Sequence, residues 1–472
     1  MRVVHLAAGA GGMYCGSCLH SNALAAALRA EGIDITLVPV YTPLRTDEPG
    51  EAVRRVAMGG INVYLQQISA LFSHLPRWLG RTLDNPRLLR WAGRHSMAVR
   101  PAHLGPMTIS VLRGEEGRQR KELDKLVDWL AEDLRPQVVH LSNLLLAGLA
   151  RPIARRLRVS VVCTLSGEDI FLEDLPPRYQ AEAQAILRDR CRDLAGLVAL
   201  NRYYADRMAE YLAVDRQRIR VIRPGLSPLS LGEKGPGGGK ELAEPAQRQF
   251  PSPACGRGAA GEGASPQSPL DPALLAPAET GAGLTIGFLA RICPAKGLHL
   301  LAEAFATLCD TPGLPPLRLH AAGYLDGADR PYLASVRRQL AQRGLADRFQ
   351  YLGQPDRLAK AAFLQSLDVM CLPTVYHESK GFPVLEAWAH GVPVVVPAHG
   401  TFPELLEDTG GGLLCRPGDA ADLAARLQQL ILDPALRAQC GRRARQAIGE
   451  RYQAQRMACE TIELYQGLLG NP

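Results

Sequence analysis

Two glutamates in the second half of the chain have a spacing that could place both beside one charged ligand. Glu378 and Glu386 lie eight positions apart in HESKGFPVLEAWAHGVPVVV, with Gly381, Phe382 and Pro383 between them. Proline suits the first turn of a helix, and the unpaired N–H groups and positive dipole of a helix start attract anions. The pattern predicts a loop that carries Glu378, an anion-binding turn at Gly381 and Phe382, and a helix that carries Glu386. The alternative is a helix start with two solvent-facing carboxylates.

Two cations follow a strand-like apolar run earlier in the same half. Arg291 and Lys296 occur in GFLARICPAKGLHLLAEAF, with Gly287 before them and Gly297 directly after. Cations held in place can stabilise a leaving group that gains negative charge, without a metal. The alternative is a pair of solvated surface residues.

A pair of glycines follows the first strand-like run of the chain. Gly11 and Gly12 lack a Cβ and therefore allow the backbone to approach a phosphate or a sugar. A dinucleotide-binding fold is the alternative, but GAGGMY lacks the third glycine of its motif, and no acidic residue clearly ends the second strand-like run. A dehydrogenase is therefore disfavoured.

Taken together, these motifs resemble those of the family-four retaining glycosyltransferases. HESKGFPVLEAWAHGVPVV matches the E-x7-E signature of that family. GFLARICPAKG is similar to its G-R-x-x-x-x-K-G block, with Ala290 in place of the first glycine, and GTFPELLEDTGGGLLCRPGD is similar to its G-G-x-P-E segment, with Thr401 in place of the second glycine. The resemblance implies an α/β protein of the GT-B fold, in which two Rossmann-like, doubly wound domains face a cleft.

The same resemblance implies a reaction. Such an enzyme moves a sugar from a nucleotide-diphosphate sugar of the UDP, GDP or ADP type to a hydroxyl of a glycan, a lipid or a small molecule. The transfer would retain the configuration of the sugar and need no metal or other cofactor. Two alternatives share the fold: a nucleotide-sugar epimerase, which needs no acceptor, and a non-catalytic subunit that binds the nucleotide sugar without turnover.

The resemblance also implies a role for each matched residue of the second half. Arg291, Lys296 and the turn at Gly381 would bind the donor diphosphate, and Glu386 would hydrogen-bond the ribose. Glu378 would contact the donor sugar and support positive charge at its anomeric carbon. We therefore expect Glu378 to be the catalytic residue.

The first half resembles the family less closely. Gly11 and Gly12 match a glycine-rich loop that closes over the donor, and His140 matches a histidine common at a strand end, although a structural role explains it equally well. In TLSGEDI, Ser166 stands where the family often has a histidine that reaches toward the reacting sugar. The candidate contacts with the sugar or the acceptor are then five residues: His140, Ser166, Gly167, Glu168 and Asp169.

Strand-like apolar runs alternate with helix-length segments on both sides of a stretch rich in Gly, Pro, Ala and Ser, from Ser227 to Gly283. Continuous apolar strands that alternate with helices indicate parallel sheets covered on both faces. Loops beyond about 12–15 residues are uncommon within a domain, so the stretch predicts a boundary. The predicted units are an N-terminal Rossmann-like acceptor domain (1–226), a disordered linker or insertion (227–283), a C-terminal Rossmann-like nucleotide-sugar-binding domain (284–450) and a helix that crosses back to the N-terminal domain (451–472).

The composition of the 472 residues narrows the partners and the compartment. The net charge of +7 is moderate for this length, and no zinc-finger spacing or RNA-binding motif accompanies it, so we expect no nucleic acid partner. The eleven cysteines are odd in number and mostly isolated, which favours a reducing cytoplasm over a disulfide framework. No run reaches the roughly 18 apolar residues of a membrane-spanning helix.

Two further segments leave alternatives open. Residues 72–95, FSHLPRWLGRTLDNPRLLRWAGRH, interleave arginines with tryptophans and leucines. Such a segment either rests peripherally on the inner face of an anionic membrane or packs its apolar side on the core. Cys15 and Cys18 form a single CxxC beside the glycine loop, which suits local packing or a redox- or metal-associated role.

Overall fold

A computed structural model describes residues 1–9, 16–44, 46, 50–53, 56–58, 101–226 and 283–470. The predictions for Gly11, Gly12, Cys15, residues 72–95 and residues 227–282 therefore lie outside the described residues. In the described part, the chain forms two six-stranded sheets in which all neighbouring strands run parallel.

The first sheet has the strand order β2-β1-β3-β4-β5-β6. Its strands are β1 (Arg2–Ala7), β2 (Asp34–Pro39), β3 (Val138–Leu141), β4 (Ser160–Leu165), β5 (Gly196–Ala199) and β6 (Ile219–Val221). Successive residues of a strand face opposite sides of a sheet, and Val3 and Val4 belong to two different apolar cores. Both faces are therefore covered, which explains why the strands are apolar almost continuously rather than at every second residue.

Helices between the strands provide this cover. They are α1 (Gly16–Ala30), α2 (Pro101–Arg113), α3 (Arg120–Trp129), α4 (Ala150–Leu157), α5 (Glu168–Glu173), α6 (Pro177–Arg190) and α7 (Arg202–Leu212). Helix α1 belongs to the core that contains Val3, whereas α2 to α7 contribute to the core that contains Val4. Short 3-10 or π-helical segments lie at Gly114–Glu116, Leu130–Leu134, Leu144–Leu149, Cys191–Asp193 and Arg216–Arg218.

The second sheet has the strand order β12-β11-β10-β7-β8-β9. Its strands are β7 (Leu284–Leu289), β8 (Leu317–Ala322), β9 (Phe349–Tyr351), β10 (Val369–Cys371), β11 (Val394–Pro397) and β12 (Gly412–Cys415). Its helices are α8 (Leu298–Cys309), α9 (Arg330–Gln342), α10 (Arg357–Gln365), α11 (Phe382–Ala389), α12 (Phe402–Thr409), α13 (Ala420–Leu432) and α14 (Pro434–Arg451). Short 3-10 helices lie at Pro294–Lys296, Gly327–Asp329 and Ala346–Arg348. No helix in the described part of the chain is long and apolar enough to cross a membrane.

Each sheet begins at an inner strand and extends outward in both directions. Strand β1 lies between β2 and β3, and β7 lies between β8 and β10. At such a switch point, the loops at the carboxyl ends of the two neighbouring strands diverge and leave a crevice, where ligands bind in doubly wound sheets. The loops after β7 and β10 contain Lys296 and Glu378. The fold thus brings the two predicted motifs to the same crevice.

The last helix, α15 (Ala454–Gly470), packs on α1 and returns the chain to the first sheet. Under this helix, the hydroxyl of Tyr465 lies 2.6 Å from Nδ1 of His140, whose Nε2 lies 2.7 Å from Oγ1 of Thr164. His140 and Tyr465 are both buried. In this arrangement, the histidine joins the last helix of the chain to strand β4.

Three buried histidines cluster in this part of the molecule. The ring centroids of His5 and His140 lie 4.8 Å apart, and Nε2 of His5 lies 3.1 Å from Oγ of Ser21. Burial, with a smaller effect of neighbouring charge, lowers the pKa of His5 to about 3 and that of His20 to about 4. Burial also lowers the pKa of His140 well below its ordinary value. All three imidazoles are therefore neutral near pH 7.

We expect the free energy of unfolding to decrease as the pH falls below about 6.5. Below that pH the unfolded chain binds a proton on each of these histidines, whereas the folded chain does not until the pH nears the lowered pKa. Each histidine therefore lowers the free energy of unfolding by up to about 1.4 kcal/mol per pH unit. Urea unfolding between about pH 7 and pH 5 measures the decrease. His140→Gln removes one titrating group, so the free energy of unfolding of this variant should decrease less than that of the parent protein. Equal decreases in the variant and the parent protein would contradict this explanation.

Candidate active site

Lys296 reaches the loop after β10 because a tight turn carries it there. The 3-10 helix Pro294–Lys296 ends at Gly297, whose φ of +78° lies in the left-handed region. A Cβ on Gly297 would lie 1.8 Å from the carbonyl oxygen of Pro373. Only glycine therefore allows this turn to approach the loop so closely.

Glu378 is 5% exposed, and both oxygens of its carboxylate accept hydrogen bonds. Oε2 accepts from Nζ of Lys296 at 2.7 Å and from the hydroxyl of Tyr376 at 2.6 Å. Oε1 accepts from the backbone N–H groups of Ser379 and Lys380 at 3.2 and 3.3 Å. Lys296 also donates to Tyr376 and lies 4.8 Å from the centroid of its ring. The three side chains form one closed network.

The surroundings fix the charges of this network. Burial by itself raises the pKa of Glu378, but the charge of Lys296 and the hydrogen bonds from Lys296 and Tyr376 outweigh burial and lower the pKa to about 2. Burial by itself lowers the pKa of Lys296, yet Glu378 and Tyr376 raise it above its ordinary value. The site therefore holds an ionised carboxylate beside an ionised amine at neutral pH. No sequence motif pointed to Tyr376, although it lies only two residues before Glu378.

The turn that follows opens helix α11. Gly381 caps the helix with a φ of +71°, and Pro383 lies in its first turn. A Cβ on Gly381 would lie 2.7 Å from Cδ1 of Leu405, so the position favours glycine on both counts. The side chain of Phe382 lies against the N-terminal domain, with its ring centroid 6.3 Å from that of His20. The turn thus combines a helix N-terminus with a contact between the domains.

Arg291 and Glu386, the other two predicted donor ligands, each form a separate ion pair. Nη2 of Arg291 lies 2.9 Å from Oδ2 of Asp329, and the arginine side chain is 45% exposed. Nζ of Lys360 donates to Oε1 of Glu386 at 2.5 Å, and both side chains are largely buried. The structure therefore joins Lys296 and Glu378 directly and holds the other two through partners in the same domain. Among the described residues, no group of three or more His, Cys, Asp or Glu side chains is arranged to hold a metal ion.

Two of the five residues predicted to contact the sugar or acceptor, Ser166 and Gly167, face the C-terminal domain. The carbonyl oxygen of Ser166 accepts from Nζ of Lys380 at 2.6 Å. Gly167 has a φ of +93°, and a Cβ there would lie 2.9 Å from Oγ of Ser379. These residues directly follow β4 and form the N-terminal wall opposite the loop of Glu378.

Of the other three predicted contacts, His140 is buried under the last helix, and Glu168 and Asp169 bind within their own domain. Glu168 is 3% exposed and accepts from the backbone N–H of Ser166 at 2.8 Å, and burial raises its pKa. Asp169 accepts from Nε of Arg207 at 2.8 Å and from the hydroxyl of Tyr204 at 2.7 Å. Both carboxylates are thus bound by groups of the N-terminal domain.

Further hydrogen bonds cross between the domains near the site. Nδ2 of Asn201 donates to the carbonyl oxygen of Ser379 at 2.7 Å. The carboxylate of Glu404 accepts from the backbone N–H groups of Arg202 and Tyr203 at 2.9 and 2.7 Å. These N–H groups belong to the first turn of α7, where they have no partner within the helix. A carboxylate of one domain therefore binds the N-terminus of a helix in the other.

Two family models match successive parts of the chain. The model described as Glycosyl transferase 4-like domain matches residues 16–225, and the model described as Glycosyl transferases group 1 matches residues 278–447. The chain belongs to glycosyltransferase family four. The resemblance noted in the sequence motifs is thereby confirmed, and Lys296 and Glu378 of this glycosyltransferase lie within the second matched segment.

Relatives of this glycosyltransferase differ in length and in name. The chain is 26% identical over 351 residues to 2-deoxystreptamine glucosyltransferase of Streptomyces kanamyceticus, and this match covers 70% of this chain and 80% of that enzyme. It is 31% identical over 185 residues to phosphatidyl-myo-inositol mannosyltransferase of Mycobacterium leprae, and this match covers 39% of this chain and 46% of that enzyme. The second match thus spans less than half of the relative.

Solved structures have a fold similar to that of this glycosyltransferase. Sucrose-phosphate synthase from Thermosynechococcus elongatus superposes with a TM-score of 0.66 at 16% identity and covers 100% of both chains. The Anabaena protein HepE, solved in complex with UDP and glucose, has a TM-score of 0.64 at 15% identity and covers 99% of this chain and 100% of its own. At such low identity these likenesses show the fold alone. The predicted GT-B fold, with two Rossmann-like domains, is confirmed.

Removal of Lys296 should destabilise the folded protein strongly. Lys296→Met leaves the carboxylate of Glu378 buried without its cation, which costs about 3–5 kcal/mol for a buried pair. The double variant Lys296→Met with Glu378→Gln removes both charges and should recover much of this loss. Urea unfolding near neutral pH measures the free energy of unfolding of each variant.

A matched control is Arg343→Met, which breaks an ion pair with Asp310 whose side chains are 53% and 58% exposed. Exposed pairs contribute only about 0–1 kcal/mol, so this variant should be nearly as stable as the parent protein. Equal free energies of unfolding for Lys296→Met and Arg343→Met would show that the Lys296–Glu378 pair does not stabilise the fold as described.

Proposed function

We propose that this glycosyltransferase moves a sugar from a nucleotide-diphosphate sugar to a hydroxyl acceptor, with retention of configuration and without a metal or other cofactor. The observation that carries the proposal is the buried ion pair of Lys296 and Glu378 at the switch point of the second sheet. Doubly wound sheets bind nucleotides in this crevice. The pair offers a cation for a phosphate and an anion for the reacting sugar.

Three groups of the C-terminal domain would neutralise the donor diphosphate. An ammonium has three N–H donors, and Glu378 and Tyr376 accept from that of Lys296, so a third can reach a phosphate oxygen. Arg291 binds Asp329 through Nη2 and can turn other N–H groups of its guanidinium toward the ligand. The turn at Gly381 adds the positive end of a helix. Together these groups stabilise the negative charge that grows on the leaving nucleotide.

Glu378 would act on the sugar itself. As the bond between the anomeric carbon and the diphosphate oxygen breaks, positive charge develops on that carbon, and an ionised, buried carboxylate stabilises it. The acceptor hydroxyl enters past Ser166 and Gly167 on the face from which the diphosphate leaves and passes its proton to the departing phosphate oxygen. The new bond then has the configuration of the old one. Glu386 would hydrogen-bond the ribose of the donor.

The compared proteins support this choice of substrates. HepE is solved with UDP and glucose, and the two relatives are named for transfer of glucose and mannose to 2-deoxystreptamine and phosphatidyl-myo-inositol. For this chain we propose a UDP, GDP or ADP sugar as the donor and a hydroxyl of a glycan, lipid or small molecule as the acceptor. The reaction would take place in the cytoplasm, with residues 72–95 as a peripheral membrane contact.

A thermal-shift screen with UDP-glucose, UDP-N-acetylglucosamine, GDP-mannose and ADP-glucose tests donor binding. A donor that binds only the folded protein stabilises it by about 2.7 kcal/mol at one hundred times its Kd, so one of these compounds should raise the Tm. Arg291→Ala should weaken the shift, because it removes one of the proposed phosphate ligands, whereas Arg343→Ala should keep it. A Tm that none of the four donors changes would contradict the proposal.

Glu378→Gln tests the role of the carboxylate in the reaction. The amide keeps the size of the side chain but removes its charge, so kcat should fall at least about 100-fold, which corresponds to about 2.7 kcal/mol of lost transition-state stabilisation. The Kd of the donor should change much less. An unchanged kcat would rule out the proposed role of Glu378.

Proton NMR of the product measures the configuration at the anomeric carbon and separates the alternatives. The one-bond coupling between the anomeric carbon and its proton, which distinguishes the two configurations for mannose as well as for glucose, should show the configuration of the donor. Inversion would contradict the retaining mechanism. Conversion of the nucleotide sugar without an acceptor would indicate an epimerase, and binding without any turnover would indicate a non-catalytic subunit.

A further inference from the structure

Lys380 extends from the loop of Glu378 into the N-terminal domain. Its ammonium donates to Oγ of Ser17 at 2.9 Å and to the carbonyl oxygen of Ser166 at 2.6 Å. Its backbone N–H donates to Oε1 of Glu378 at 3.3 Å. One residue thus contacts both the carboxylate proposed to act on the sugar and the opposite wall of the cleft.

The two partners of the ammonium lie on separate elements of the N-terminal domain. Ser17 lies in the first turn of α1, and Ser166 directly follows β4. Oγ of Ser17 also donates to Oγ of Ser166 at 3.3 Å. Lys380 therefore completes a small network that holds the start of α1, the end of β4 and the loop of Glu378 together.

The backbone of Ser166 is held at both of its polar groups. Its N–H donates to Oε2 of Glu168, and its carbonyl oxygen accepts from Lys380. The charge of Lys380 acts on carboxylates of both domains, because it lowers the pKa of Glu378 and partly offsets the effect of burial on the pKa of Glu168. The cation thus binds two neutral oxygens and acts electrostatically on a carboxylate of each domain.

We propose that Lys380 is a positioning residue that aligns the acceptor wall with the donor site. The effect on the reaction rests on the proposed function, since it assumes that sugar transfer occurs between Glu378 and Ser166. Reacting atoms must be held about 3–3.5 Å apart, and a misplacement of about 1 Å can cost a factor of about 100 in rate. By fixing Ser166 relative to Glu378, Lys380 sets that distance. The proposed phosphate ligands Lys296 and Arg291 bind the donor independently of it.

The first experiment needs no substrate. Lys380→Met removes the ammonium, and Lys380→Arg keeps a cation of similar reach. Arg202→Ala is the matched control, because the guanidinium of Arg202 also crosses between the domains but pairs with Glu404, Glu407 and Asp408 instead. Hydrogen–deuterium exchange of residues 16–24 and 161–167 should be at least about threefold faster in Lys380→Met and unchanged in Arg202→Ala.

The second experiment measures turnover with UDP-glucose, GDP-mannose and ADP-glucose in turn. With the donor that reacts, Lys380→Met should lower kcat at least about tenfold and change the KM of the donor less than about threefold. Lys380→Arg should recover most of kcat. Ser17→Ala should lower kcat in the parent protein but not further in Lys380→Met, because both substitutions break the same network.

Each other outcome overturns the proposal. Unchanged hydrogen–deuterium exchange in Lys380→Met would show that the residue does not hold the wall. The exchange measurement needs no donor, so it tests this proposal even if the proposed function fails. A higher KM with an unchanged kcat would make Lys380 a donor ligand. Additive effects of Ser17→Ala and Lys380→Met, or an equal loss of kcat in Arg202→Ala, would exclude alignment through this network.

Discussion

The buried ion pair of Lys296 and Glu378 is the interaction on which the rest of the site depends. Two opposite charges lose most of their hydration when buried, so they require close contact and further hydrogen bonds. The structure provides both, through the tight turn at Gly297 and the hydroxyl of Tyr376. The benefit is a pair of fixed charges at neutral pH, where an isolated buried carboxylate or amine would tend to become neutral. Parallel strands make this possible, because they bring the loops of β7 and β10 to one edge.

The cleft depends on a second set of contacts, those between the domains. Asn201, Lys380 and Glu404 each bind backbone groups of the opposite domain. Backbone groups at the ends of strands and helices need partners whatever side chains surround them. Contacts of this kind join the two domains around the site, and the one from Lys380 reaches the wall at Ser166.

The strands, helices and turns that have a signal in the local sequence could be predicted. Continuous apolar runs indicated parallel strands, and the motif around Glu378 indicated a loop, a turn and a helix in the observed order. Tyr376 and Lys380 escaped prediction for a physical reason. Both lie in an irregular loop without periodicity, and the two partners of Lys380 are 214 and 363 residues away in the chain. Such a contact depends on how two domains pack, and no local pattern encodes it. The roles assigned to the donor and acceptor residues stay predictions.

The last helix of the chain has a consequence for synthesis. Helix α15 and α1 together cover the face of the first sheet that contains Val3, and Tyr465 supplies the partner for the buried His140. Domains usually fold in the order in which the ribosome makes them. Here the ribosome must complete the entire C-terminal domain before the residues that seal the first sheet emerge. The domain that is synthesised first is therefore the one that reaches its final packing last, because the part of this face that α15 covers stays exposed until then.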